Sequence, residues 1–97
     1  MASETTTTIL LEGKEGEFYV AVTAEVEQGE TIENICYYFT DDEETQDIDG
    51  LEETTAAALS KLCIQKSAIQ IEALAVYALR EQAASDYGAH YESQFED

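Results

Sequence analysis

Between residues 5 and 40 β-branched and apolar side chains predominate in three runs, and over residues 17–26 they recur at every second position. Residues 5–12, Thr-Thr-Thr-Thr-Ile-Leu-Leu-Glu, have extended character and predict a first strand. Gly13-Lys14-Glu15-Gly16 reads as a turn. Residues 17–26 form the strongest strand, with Phe18, Val20, Val22, Ala24 and Val26 on one face. Gln28-Gly29 marks a second turn, and Thr31–Thr40 a third strand. If Gln28-Gly29 is a two-residue loop, Val22 faces Ile35, Val20 faces Tyr37, Phe18 faces Phe39, and Tyr19 meets Tyr38 on the other side. A four-residue first loop sets Leu11 opposite Phe18 and Ile9 opposite Val20. The expected result is a three-stranded antiparallel meander with one apolar face.

Beyond residue 50 the period changes. Leu51, Thr55, Ala58, Leu59 and Leu62 recur at helical spacing, and Asp49 with Glu52 fits an N-terminal capping box. Ser67 with Gln70 repeats that pattern, so the helical run should break near residues 65–67. The second helix should reach about residue 86, with Gly88 ending it and a frayed acidic tail beyond. Ile71, Leu74, Ala75, Ala78 and Leu79 make one stripe, which Ile69, Ala73, Val76 and Tyr77 widen nearly all round. A helix that is apolar on most sides is either sandwiched in a core or meets a second subunit. The β-β-β-α-α order predicts an α+β fold, the meander packed against two C-terminal α-helices, as one domain spanning residues 1–97.

Charge changes the picture most. The chain carries 22 acidic and 4 basic side chains, a formal net charge of −18. Residues 1–53 hold 16 of those acids and only Lys14, whereas Lys61, Lys66 and Arg80 all lie in the helical stretch. Self-repulsion on this scale works against a compact state, and solubility alone needs a net charge of only about 2–8 in a small domain. The expected partner is cationic, because nucleic acid or an anionic lipid surface would repel the chain. With hydrophobic residues at 44%, the chain has enough apolar material to fold.

Enzyme and cofactor signals are weak. Aligning Gly50 with the glycine of a calcium-binding EF-hand loop places Asp47 and Asp49 at ligand positions, but puts Thr45 first and Ala56 last, where carboxylates are needed. A solvated acidic loop is the better reading. His90 is the sole histidine and has no matched nucleophile. Cys36 and Cys63 read as reduced, partly buried thiols. Tyr19, Tyr37, Tyr38 and Phe39 read as sheet packing or a protein-contact patch. The expectation is a non-enzymatic protein without cofactor or metal. No signal peptide opens the chain and no apolar run approaches a membrane span of about 18 residues, so a location in the host cytoplasm is expected.

The acids themselves offer the chemistry. Duplex DNA carries one charge per ~1.7 Å of axis, so a net 18 negative charges match roughly 30 Å of duplex. Glu25, Glu27, Glu30 and Glu33 cluster around the second hairpin. Asp41, Asp42, Glu43, Glu44, Asp47 and Asp49 fill the loop after the third strand, with Glu12, Glu15 and Glu17 nearby. A meander would put these two groups at opposite sheet ends, able to imitate two phosphate rows. In size, acidity, lack of proline and α+β layout the chain resembles the phage-encoded DNA-mimic anti-CRISPR proteins that inhibit type I-F crRNA-guided surveillance complexes. That resemblance implies an inhibitor seated in the complex's positively charged DNA-binding groove, blocking target recognition. Two alternatives stand beside it: an anti-restriction DNA mimic, and a phage or bacterial assembly protein that oligomerises through its second helix.

Overall fold

In the computed structural model, backbone is described for residues 2–27 and 31–95 and side chains for residues 3–27 and 31–85. The elements are β1 (Ala2–Gly13), β2 (Gly16–Glu27), β3 (Thr31–Thr40), β4 (Glu53–Thr54), α1 (Ala56–Leu62) and α2 (Ala68–Phe95). The strands form one antiparallel sheet in the order β1-β2-β3-β4. The α+β class is as expected, with a short fourth strand added to the meander.

The first hairpin keeps the expected pairs, Ile9 with Val20 and Leu11 with Phe18. Pairing continues to Gly13 and Gly16, so the connection is Lys14-Glu15 and not the four residues expected. Two glycines permit this closure. A Cβ on Gly13 would fall 2.8 Å from both the Gly16 carbonyl and the Phe18 ring, and Gly16 has φ +120°. Residues 62–64 lie against this end of β1: Lys14 N donates to Leu62 O at 2.9 Å and Ile64 N to Glu12 O at 3.0 Å.

The second hairpin is displaced from the expected register. Val20 faces Phe39, Val22 faces Tyr37, Tyr19 faces Thr40 and Tyr38 faces Ala21, so the two tyrosines do not meet. Two extra residues account for the shift. Pairing of Glu27 with Thr31 leaves residues 28–30 for the connection, and the Gln28-Gly29 turn lies outside the described residues. A bulge opposite the Thr23–Glu25 step inserts the second, with Asn34 at φ +56°. A shift of two residues leaves each side chain on its own face, so the set of core residues survives.

Asp49 and Glu52 do not cap a helix. Phe39 N donates to Glu52 O at 2.9 Å, and Glu53–Thr54 pair with Tyr38–Tyr37 as β4. The open edge of β3 thus takes up the segment, and α1 starts later, with Thr55 Oγ1 accepting from Ala58 N at 3.1 Å. The chain breaks at Gln65, φ +49°. The second capping box forms as read: Ser67 N donates to Gln70 Oε1 at 2.8 Å, and Gln70 N to Ser67 Oγ at 3.2 Å. α2 then runs 28 residues through Gly88, where an end was expected. A lone glycine costs a helix only about 1 kcal/mol, and the chain has no proline to stop it.

The helices cover one face of the sheet. Leu59, Cys63, Ile71, Ala75 and Leu79 pack with Ile9, Leu11, Val20, Val22, Ala24 and Tyr37. Of the expected α2 stripe, Ile71, Ala75 and Leu79 are fully buried and Ala78 is half-buried, while Leu74 is exposed. Among the described residues, no helix is long and apolar enough to cross a membrane.

Candidate functional site, an acidic sheet face

Strand alternation sorts the carboxylates. On β2, Phe18, Val20, Val22, Ala24 and Val26 turn toward the helices, leaving Glu17, Glu25 and Glu27 on the outer face. Pairing carries that assignment across the sheet. Glu4 lies opposite Glu25, Glu25 opposite Glu33, Glu12 opposite Glu17, and Glu53 opposite the outer-face Tyr38. Every acidic side chain of the four strands is therefore on the outer face, and each is exposed.

Like charges placed directly opposite each other on neighbouring strands destabilise a sheet. Here three glutamates, Glu4-Glu25-Glu33, form one row across three strands, and Glu12-Glu17 forms another. The rows are eight residue steps apart along β1, about 27 Å at ~3.4 Å per residue. Among the described residues, no lysine or arginine forms an ion pair with these acids. Among the described residues, the one hydrogen bond to this glutamate row comes from the bulge, where Asn34 Nδ2 donates to Glu25 Oε2 at 2.9 Å. The left-handed backbone at Asn34 aims that amide, so the bulge fixes one carboxylate of the row.

The loop between β3 and β4 completes the face. Thr45 is buried and anchors it: its N–H donates to Thr8 Oγ1 at 3.1 Å, and its hydroxyl lies 2.7 Å from Thr40 Oγ1. Thr8 is on β1 and Thr40 on β3, so the loop crosses the outer face as a strap. It returns to the far edge of β3, where Glu53 joins the sheet. Ala21 lies between Thr8 and Tyr38 on this face and is fully buried, although no helix covers it. Asp42 N donates to Thr40 Oγ1 at 3.1 Å and Asp49 N to Asp47 Oδ1 at 2.9 Å, which holds both limbs in shape. Asp41, Asp42, Glu43, Glu44, Asp47 and Asp49 are all exposed.

This path corrects the expected layout. The strap leaves β3 at the sheet end away from the second hairpin, as expected, but Thr45 folds it back over the outer face as far as Thr8, so it lies over the face that carries the glutamate rows. Glu25, Glu27 and Glu33 are on that face as well, and Glu30 lies outside the described residues. Glu4 escaped the sequence reading, although its pairing with Glu25 follows from the first-hairpin register. Thr45, which calcium-loop spacing would make the first ligand, turns inward as the anchor.

Tyr38 lies beside Glu53 on this face. Desolvation, then the nearby Cys36 and Glu53, push its hydroxyl above the usual tyrosine value. Cys36 sits on the outer face and Cys63 in the core beneath the helices, both free. The helical half, residues 56–95, carries Lys61, Lys66 and Arg80 against Glu72, Glu81, Asp86 and Glu92, so it is close to neutral and most of the net negative charge belongs to the sheet and its loops.

Comparison with protein families, with characterised proteins and with solved structures finds no match to this chain.

Proposed function

We propose that this protein is an acidic DNA mimic, which binds the positively charged DNA-binding groove of a crRNA-guided CRISPR-Cas surveillance complex and blocks target recognition. The observation that carries the reading is the row Glu4-Glu25-Glu33, three directly opposed carboxylates kept together at a cost to the sheet. Arginine and lysine from a partner would relieve that repulsion, so binding recovers what folding gives up. The pinned strap adds acids to the same face, and a preformed display loses little conformational entropy on docking. Carboxylates here stand in for phosphates. Their distribution over about 27 Å suits a groove that follows several base pairs. The choice of a CRISPR-Cas complex over another DNA-binding protein rests on the resemblance in size, charge and layout.

A gel-shift assay with a purified type I-F surveillance complex tests this. Protein added before target DNA should abolish the shifted band. Reversing Asp41, Asp42, Glu43 and Glu44 to lysine should restore DNA binding, whereas reversing four of the five acids in residues 81–97 should not. Equal loss from both sets would reduce the effect to net charge, and an unchanged DNA shift with the native protein would reject the proposal.

A further inference from the structure

α2 buries Ile71, Ala75 and Leu79 against the sheet and leaves a second apolar strip in solvent. Ile69 is 80% exposed and Tyr77 63% exposed. With Ala73 and Val76 they line a shallow groove whose only charged members are Glu72 and Arg80. At 100° per residue, Ile69, Ala73, Val76 and Arg80 fall within about 60° of one another, one straight seam along the helix.

We infer that this seam is a homodimer interface in which two α2 helices pack antiparallel about a two-fold axis at Val76. Two features select a second copy as the occupant. First, Glu72 lies four residues before Val76 and Arg80 four residues after it. An antiparallel pair centred on Val76 therefore sets Glu72 of each protomer against Arg80 of the other, twice by symmetry. Second, the outer sheet face is too negative to meet itself, whereas residues 56–95 hold Lys61, Lys66 and Arg80 against Glu72, Glu81, Asp86 and Glu92 and are close to neutral. The helical layer is the less negative side, and so the one on which two such acidic chains approach with least repulsion. Ala73 leaves room for close helix contact, and Ile69 and Tyr77 supply apolar area. Since the carboxylates lie on the other side of the sheet, a dimer built this way leaves both acidic faces open.

Sedimentation equilibrium at 0.15 M salt over a wide concentration range tests the inference. The native chain should approach twice its 10.7 kDa mass as concentration rises. Glu72→Arg or Arg80→Glu alone should weaken association about tenfold or more, by turning two attractions into repulsions. The double reversal should recover native affinity within about threefold, and Val76→Glu should give monomer throughout. Circular dichroism of each variant, including Val76→Glu at its half-buried position, checks that the fold is retained. A native chain that stays monomeric at every concentration overturns the inference, as does a double reversal no better than the singles.

Discussion

Glu25→Gln is a direct perturbation of the glutamate row, because Glu25 has a carboxylate opposite it on both sides, Glu4 and Glu33. The hydrogen bond from Asn34, 2.9 Å in the native protein, survives the change, since a glutamine carbonyl also accepts it. What disappears is charge. Opposed Cβ atoms are about 5 Å apart, and two unit charges at roughly 5.5 Å in water repel by about 0.8 kcal/mol. Two neighbours therefore give about 1.5 kcal/mol at low ionic strength, and about half of that at 0.15 M salt, where the Debye length is about 8 Å. For a domain of this size about 1.5 kcal/mol raises the Tm by roughly 6–12 °C. Thermal unfolding by circular dichroism at about 10 mM and about 500 mM salt measures it, with Glu15→Gln as control. Glu15 is in the two-residue turn and has no paired carboxylate opposite it. The variant should be clearly more stable at low salt and lose most of that advantage at high salt, while the control moves much less. Equal shifts in both proteins, or a gain that ignores salt, would refute the idea that this row is held against local repulsion.

Other consequences are narrower. Thr45→Ala removes the hydroxyl that meets Thr40, so the strap should open at a cost of about 1–2 kcal/mol; hydrogen exchange in residues 41–49 should rise while exchange in β2 stays slow. Tyr37 is buried in the core, and its hydroxyl is held above the ordinary value of 10.0 by desolvation and then by Glu72. A raised folded-state value means stability is complete below pH 10 and falls as pH rises through that value. Alkaline unfolding should begin there and be delayed in Tyr37→Phe, and identical pH profiles would count against it.

Much of the fold was legible in the sequence because alternation decides faces before it decides register. Phe18, Val20 and Val22 stay on the buried side whether they meet Ile35, Tyr37 or Phe39, as a slip of two residues preserves parity. The slip itself was hidden: nothing local marks Asn34 as a bulge, since its left-handed backbone is shaped by the strands around it. β4 was hidden for a similar reason. Asp49 and Glu52 carry a true capping pattern, yet the open edge of β3 offers hydrogen bonds that outcompete a local cap. Ser67 and Gln70 face no such competitor, and their cap forms as read. At the candidate site the acids were plain, but their gathering on one face depends on Thr45 reaching Thr8, a contact 37 residues apart in the chain. Local patterns hold no record of such a contact.

The most direct test of the acidic face is its affinity for the purified surveillance complex, titrated from about 50 to 500 mM salt with and without target duplex. If its carboxylates occupy the places of phosphates, log affinity should fall steeply with log salt, and duplex should displace the protein stoichiometrically. A flat salt dependence, or protein and duplex held on the complex together, would contradict it.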